Sequence, residues 1–145
     1  MIAITSLLNI AGRLFLVGIF FLSAVGNKIP NFPAVVELIE SQGAPMPSLM
    51  LVGGIALLLV GSASVALGFR ARVGAALLWV FLVGATYYFH DFWNFAGAEA
   101  QQQQIAFMKN LSLMGAMLMI VARGAGPGSL DRLIESEKTP TESTP

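Results

Sequence analysis

Cysteine is absent from the sequence. Disulfides, thiol relays and thiolate metal sites are therefore excluded within this chain. Any redox chemistry must come from a bound cofactor or from a partner protein. The single histidine has one acidic residue beside it, which does not reach the usual ligand count of a metal site. We predict no metal site.

Charged residues are also scarce. They form 11% of the 145 residues, against 56% for hydrophobic residues, and eight Lys and Arg balance eight Asp and Glu. A net charge near zero gives no general attraction to nucleic acid, so no nucleic-acid partner is expected. Soluble domains contain roughly a quarter charged residues. This composition therefore indicates a protein whose solvent is membrane lipid.

Four apolar stretches approach or exceed the ~20 residues needed to cross a bilayer. They cover about residues 2–26, 48–69, 73–89 and 105–121. We predict an all-α integral membrane protein with a four-transmembrane-helix bundle over residues 1–132 and a polar, disordered cytoplasmic tail over residues 133–145. The alternative for the first stretch is a cleaved signal peptide with Arg13 as its charged region. The apolar residues before Arg13 argue against it.

Two short helices are predicted outside the spans. Asn31 can cap an interfacial helix after the first span, with Pro33 in its first turn. Ser129 can cap a brief helix through Ile134 after the fourth span.

The positions of the arginines predict the orientation in the membrane. Those outside the first span lie in the second link and after the fourth span: Arg70, Arg72, Arg123 and Arg132. The other two links offer only Lys28 and Lys109. By the positive-inside rule, both termini and the Arg70 to Arg72 turn are expected in the cytoplasm.

A face of small residues runs along the second span. Gly54, Leu57, Gly61, Ser64 and Gly68 alternate steps of three and four and so share one side of a helix. Small side chains let helices approach closely in a membrane. We predict that this face packs against a neighbouring helix of the bundle, while Leu58 faces lipid. A second copy of the protein is the alternative partner.

Arg13 is the one charge well inside a span. Its guanidinium stays protonated and must find acceptors, yet none of the four stretches contains an acidic residue. Backbone carbonyls, hydroxyls, water or a ligand could supply them. Two roles stay open, a brace within the bundle and a contact to the acidic or carbonyl group of a ligand.

Polar and aromatic residues gather where the predicted outer ends of the spans meet. The polar residues are Lys28 after the first span, His90 and Asp91 after the third, and Lys109 and Asn110 at the start of the fourth. The aromatic ones lie within residues 87–93. One interpretation is an aromatic belt with snorkelling lysines. The other is a pocket in which His90 and the lysines meet the polar head of an apolar ligand.

Several short motifs, taken in order, resemble the DoxX family of small bacterial and archaeal membrane proteins. They are Arg13-Leu14-Phe15, Gly26-Asn27-Lys28, Gly43-Ala44-Pro45, Ala85-Thr86, His90-Asp91-Phe92-Trp93, Phe107-Met108-Lys109-Asn110-Leu111 and Gly126-Pro127-Gly128-Ser129-Leu130-Asp131. The resemblance covers about residues 10–132. It implies a four-helix, multi-pass protein of the bacterial inner membrane. It also implies a link to thiosulfate:quinone oxidoreductase subunits and other membrane oxidoreductase complexes, while the wider superfamily is similar to eukaryotic cargo-sorting proteins.

The first functional hypothesis is a membrane subunit that supports a respiratory or sulfur oxidoreductase and is not catalytic alone. It would hold a quinone or a small anion near Arg13, Lys28, His90 and Lys109. A structural or sorting protein without a small-molecule ligand is the alternative. A small transporter is less favoured because the second and third spans carry no charge. The expected partners are membrane lipids and a redox protein, and a homo-oligomer stays open.

Overall fold

The computed structural model describes residues 2–138, and this part of the chain is helical without strands. The elements are α1 (Ile2–Ser23), which continues as a π-helical segment (Ala24–Lys28), α2 (Phe32–Ser41), α3 (Pro47–Leu67), α4 (Ala71–Phe89), a 3-10 turn (Phe92–Asn94), α5 (Gly97–Arg123) and α6 (Leu130–Lys138). Four of these helices are long and apolar enough to cross a membrane. The predicted all-α, four-span fold is confirmed.

Two helices are longer than the sequence analysis predicts. Helix α5 begins at Gly97, although apolar residues start near position 105, because the intervening glutamines are good helix formers. Its 27 residues rise about 40 Å, more than the ~30 Å hydrocarbon layer. Helix α6 ends at Lys138, so residues 133–138 of the predicted tail are helical. Residues 139–145 of that tail lie outside the described part of the chain.

The long helices pack side by side in chain order. Helix α3 contacts both α1 and α4, and α4 also contacts α5. The buried core between them consists of Val17, Phe20, Ala24, Leu58, Val65, Ala75, Leu78, Leu82 and Met117. Leu58 is completely buried, so the prediction that it faces lipid is wrong. Because α3 is covered on two sides, the face beside its small residues is also enclosed.

The small residues of α3 lie against α4 of the same chain. A Cβ atom added to Gly61 would lie 2.7 Å from Leu78 Cγ and 2.9 Å from the carbonyl oxygen of Gly74. Gly74 in turn faces the side chain of Ser64, and Gly54 faces the ring of Phe81. The two helices therefore approach closely enough to exclude side chains at their crossing.

The two short helices begin where the sequence predicts them. Helix α2 has Pro33 in its first turn, but the predicted side-chain cap from Asn31 is wrong. Asn31 Nδ2 instead donates to the carbonyl of Asn27 at 3.1 Å, because the π-helical segment leaves that carbonyl within reach. At α6, Ser129 Oγ accepts the N–H of Arg132 at 3.3 Å, which is the geometry of an N-cap.

Candidate functional site

A cavity of about 810 Å³ lies at the end of the bundle where α4 ends, next to His90. We call it the His90 cavity. Its walls come from α1 and the π-helical segment, α2, α3, α4 and α5, and most of them are apolar: Ile19, Phe20, Leu51, Leu57, Phe81 and Leu113 are examples. Ligand pockets have volumes of roughly 300–1,000 Å³. The cavity is therefore large enough for a small organic molecule.

Lys28 lines the His90 cavity as the last residue of the π-helical segment. Its Nζ atom donates to Ser23 Oγ at 2.7 Å, a pair five residues apart in sequence. A π-helical turn brings such pairs together. The ammonium also lies 5.5 Å from the ring centroid of Phe81, within cation–π range. An ammonium has three N–H donors, and the described residues accept only one of them.

His90 and Asn110 add two further polar groups to the cavity wall. Asn110 Nδ2 donates to Thr86 Oγ1 at 3.0 Å, and both side chains are buried. This hydrogen bond joins α5 to α4. His90 Nδ1 lies 2.8 Å from Gln103 Oε1. With the amide oxygen as acceptor, Nδ1 is the donor of this hydrogen bond.

Two other candidates are placed differently from these. Lys109 lines the cavity, yet its side chain is exposed, and no hydrogen bond or salt bridge reaches it within residues 2–138. Asp91 does not line the cavity. Its carboxylate accepts a hydrogen bond from Asn94 Nδ2 at 2.7 Å and so closes the turn that leads into α5.

Arg13 lies at the opposite end of the bundle and takes no part in the His90 cavity. It is 5% exposed. Its Nη2 atom donates to the carbonyl of Gly128 at 2.7 Å, and Nη1 packs against Gly68. Its Nε and Nη1 atoms are buried and have no hydrogen-bond partner among the described residues. The structure therefore separates Arg13 from the other cations with which the sequence analysis grouped it.

Asp131, which the sequence analysis did not single out, completes the end that contains Arg13. Its carboxylate accepts the N–H groups of Arg70 at 2.7 Å and Ala71 at 3.1 Å, and its own N–H donates to the carbonyl of Gly68 at 2.9 Å. The carboxylate thereby caps the start of α4 and attracts the Arg13 guanidinium. We call this set of contacts the Arg13–Asp131 clamp.

Sequence signals for a helix cap are local, because a capping residue normally precedes its own helix. Asp131 follows the N–H groups that it accepts by about 60 residues. No local pattern could have identified it. The signal that was available is the closing Gly-Pro-Gly-Ser-Leu-Asp motif, whose Asp is this residue.

Aromatic side chains pack edge to face beside the entry to α5. The ring of Phe92 lies 5.2 Å from that of Trp93 and 5.4 Å from that of Phe107. Trp93 is 63% exposed, which suits the membrane interface. Within residues 2–138, no group of three or more His, Asp or Glu side chains is close enough to hold a metal ion.

Comparison with known proteins gives a consistent result. The DoxX family model matches residues 8–91. The chain is 32% identical to the inner membrane protein YphA of Escherichia coli over 105 residues, which cover 72% of this chain and 75% of that protein. It is 31% identical to the inner membrane protein YqjF of the same organism over 122 residues, 84% of this chain and 88% of that protein. No solved structure matches. The chain therefore belongs to the DoxX family of membrane proteins, a family associated with redox-related functions.

Proposed function

We propose that the protein is a membrane subunit that binds a quinone in the His90 cavity and thereby supports a respiratory or sulfur oxidoreductase. The observation that carries the proposal is the composition of the cavity wall. A largely apolar space is bordered by Lys28, His90 and Asn110. A quinone has the matching chemistry, because it joins a ring with two carbonyl acceptors to an apolar tail.

The donors of the cavity wall fit the quinone head. Lys28 holds one acceptor, Ser23 Oγ, and retains two N–H donors for a carbonyl oxygen. Phe20 is buried and Phe81 lies below the ammonium, so aromatic side chains border the space beside Lys28. In such surroundings a hydrogen bond from a charged donor is worth ~1.5–3 kcal/mol.

A bound quinone would supply the ability to take up two electrons and two protons. Lys28 would hold a ring carbonyl, and the neighbouring aromatic side chains would exclude water from the ring. His90, whose Nδ1 atom lies 2.8 Å from Gln103 Oε1, would offer its second ring nitrogen to the quinone head. The chain contains no cysteine, and in this proposal a partner protein supplies the electrons.

A small anion fits the same cavity less well. Lys28 and Lys109 would attract it, but most of the wall offers apolar side chains. An anion would lose hydration there without gaining enough hydrogen bonds. Arg13, the third cation considered for such a ligand, lies at the other end of the bundle.

We also propose that the protein resides in a bacterial inner membrane with both termini in the cytoplasm. Its relatives YphA and YqjF are inner membrane proteins. The exposed arginines lie at the Arg13 end: Arg70 and Arg72 at the start of α4, Arg123 at the end of α5 and Arg132 in α6. Cytoplasmic placement of this end satisfies the positive-inside rule. The His90 cavity then lies toward the outer leaflet.

The decisive experiment compares Lys28→Met with Arg72→Met, which removes an exposed cation at the other end of the bundle. Detergent-purified protein is titrated with short-chain ubiquinone and menaquinone analogues, and tryptophan quenching is recorded. We expect Lys28→Met to weaken binding about tenfold or more, from the ~1.5–3 kcal/mol of a charged hydrogen bond. Arg72→Met should bind like the native protein. Absence of saturable binding to the native protein would refute the proposal and favour a structural or sorting role.

A transporter is disfavoured by the middle of the bundle. Leu58, Leu78 and Met117 are fully buried there and come from three different helices. They belong to the buried apolar core between the long helices. A transport path would need polar groups at this depth.

A further inference from the structure

We propose that α6 is an interfacial anchor, which lies in the headgroup region of the bilayer beside the four spans. Its apolar side chains would contact the acyl chains, and the surrounding arginines would contact anionic phospholipid headgroups. This inference does not depend on the proposed quinone site.

The first observation is an uncovered apolar face on α6. Leu130, Leu133 and Ile134 are spaced by three and four residues and share one side of the helix. They are 40%, 60% and 38% exposed. Arg132 and Glu135 lie on the opposite side by the same periodicity. Glu137 returns to the apolar side, so the apolar face is confined to the first two turns of the helix.

The second observation is the depth at which α6 is held. Asp131 joins the start of α6 to the end of α3 and to the start of α4. Just before α6, Gly128 lies against Ile10 of α1, where a Cβ atom would be 3.1 Å from the side chain. Helix α1 continues from Ile10 to Ile4, a rise of about 9 Å, and it still exposes apolar side chains there: Ile4 64%, Leu7 66% and Leu8 66%. Helix α6 therefore starts at a level where α1 still presents an apolar surface to lipid.

The third observation is the charge around this level. Three helices contribute exposed arginines at this end of the bundle. They are Arg70 and Arg72 at the start of α4, Arg123 at the end of α5, and Arg132 on α6 itself. Basic residues next to membrane spans attract anionic headgroups. An amphipathic helix at the same level has the geometry of an interfacial anchor.

Lipid fits this face better than a second protein does. Stable protein interfaces bury roughly 800 Å² on each partner, and three partly exposed side chains cannot supply that area alone. In contrast, the bilayer that surrounds α1 reaches the level of α6 without any further partner. Lipid is therefore the occupant that the position of α6 favours.

The absence of cysteine allows a direct test by site-directed spin labelling. Leu133→Cys and Glu135→Cys place one nitroxide on each side of α6 in an otherwise cysteine-free chain. The protein is reconstituted in vesicles of phosphatidylcholine, with and without phosphatidylglycerol. Power saturation then compares the access of molecular oxygen, which enriches in the bilayer, with that of a water-soluble nickel chelate.

We expect the Leu133 label to favour oxygen and the Glu135 label to favour the nickel chelate. We also expect phosphatidylglycerol to increase the oxygen preference at Leu133. Equal nickel access at both labels would place the apolar face in water and overturn the proposal. Shielding of the Leu133 label from both reagents would show a protein cover, such as a second copy, and would overturn it as well. An unchanged oxygen preference with phosphatidylglycerol would overturn the headgroup contact. Native-like thermal unfolding of the labelled proteins confirms that each comparison concerns folded molecules.

Discussion

The crossing of α3 and α4 allows a sharp test of the packing, through Gly61→Ala with Gly53→Ala as its matched control. Both glycines lie in α3. A Cβ atom at Gly53 would have no neighbour within 4 Å. A Cβ atom at Gly61 would lie 2.7 Å from Leu78 Cγ, whereas ordinary contact begins at 3.4 Å. The neighbouring atoms must therefore shift to admit the new methyl group.

Leu78 could change its rotamer, but the carbonyl oxygen of Gly74 could not move without α4. That oxygen would lie 2.9 Å from the new Cβ atom, so the helix itself must move. Overpacking of a close-fitting core costs ~1–3 kcal/mol. Replacement of a helical glycine by alanine gains up to ~1 kcal/mol from helix propensity. That gain is common to both variants, so their difference isolates the steric cost.

We therefore expect Gly61→Ala to be less stable than Gly53→Ala by ~1–3 kcal/mol. The assay is reversible unfolding in mixed micelles with increasing dodecyl sulfate, followed by circular dichroism. Gly61→Leu should disrupt the bundle, whereas Val60→Leu, at a position that is 58% exposed, should be mild. Equal midpoints for the two alanine variants would refute the close approach of α3 and α4.

Three further predictions concern the ends of the bundle. Asp131→Ala should lower the free energy of unfolding by ~0.5–2 kcal/mol, the cost of a lost helix cap, and a native-like unfolding midpoint would contradict this. Arg13→Lys should reduce the folded yield because it weakens the hydrogen bond to Gly128. Quinone binding per folded molecule should stay native, and reduced binding per folded molecule would give Arg13 a ligand role. Reporter fusions after Gln42 and after Gly97 should report the outside of the membrane, and a cytoplasmic signal from either would reverse the proposed orientation.

The sequence predicts the architecture well because the bilayer imposes a strong local constraint. Every span must be a run of apolar residues long enough to cross it, and such runs can be counted without any knowledge of contacts. The limits of α5 were harder to predict. Gln101 to Gln104 are too polar for a span but favour a helix, so hydropathy places the start of the span and not the start of the helix.

The packing of side chains was less predictable than the spans. The small residues of α3 follow helical periodicity, but periodicity alone does not tell how many faces of a helix are covered. Leu58 shows this limit, because contacts with α1 and α4 together enclose it. In a membrane the lipid-facing and protein-facing positions are both apolar, so hydrophobicity does not separate them.

The residues of the candidate site were predictable only where the order of the spans along the chain sets their depth in the membrane. Lys28, His90 and Asn110 belong to span ends that must meet at one side of the membrane, and the structure places all three in one cavity wall. Helix α1 begins at the other side of the membrane, and Arg13 lies about ten residues from that start. Arg13 therefore belongs to the opposite leaflet from Lys28. The sequence leaves two roles open for Arg13, a brace and a ligand contact, because no acidic residue lies within the spans. The attracting carboxylate, Asp131, lies beyond the fourth span.

The Arg13–Asp131 clamp and the His90 cavity lie at opposite ends of the bundle, so a loss of function has a different meaning at each end. A variant of the Arg13–Asp131 clamp removes contacts among α1, α4 and the segment before α6. Its effect should therefore appear in folded yield and spread to every activity in proportion. A variant of Lys28 removes one donor from a cavity whose walls are built by other side chains. Its effect on ligand affinity should exceed its effect on stability, and the comparison of these two readouts decides whether the His90 cavity is a binding site or only a gap between helices.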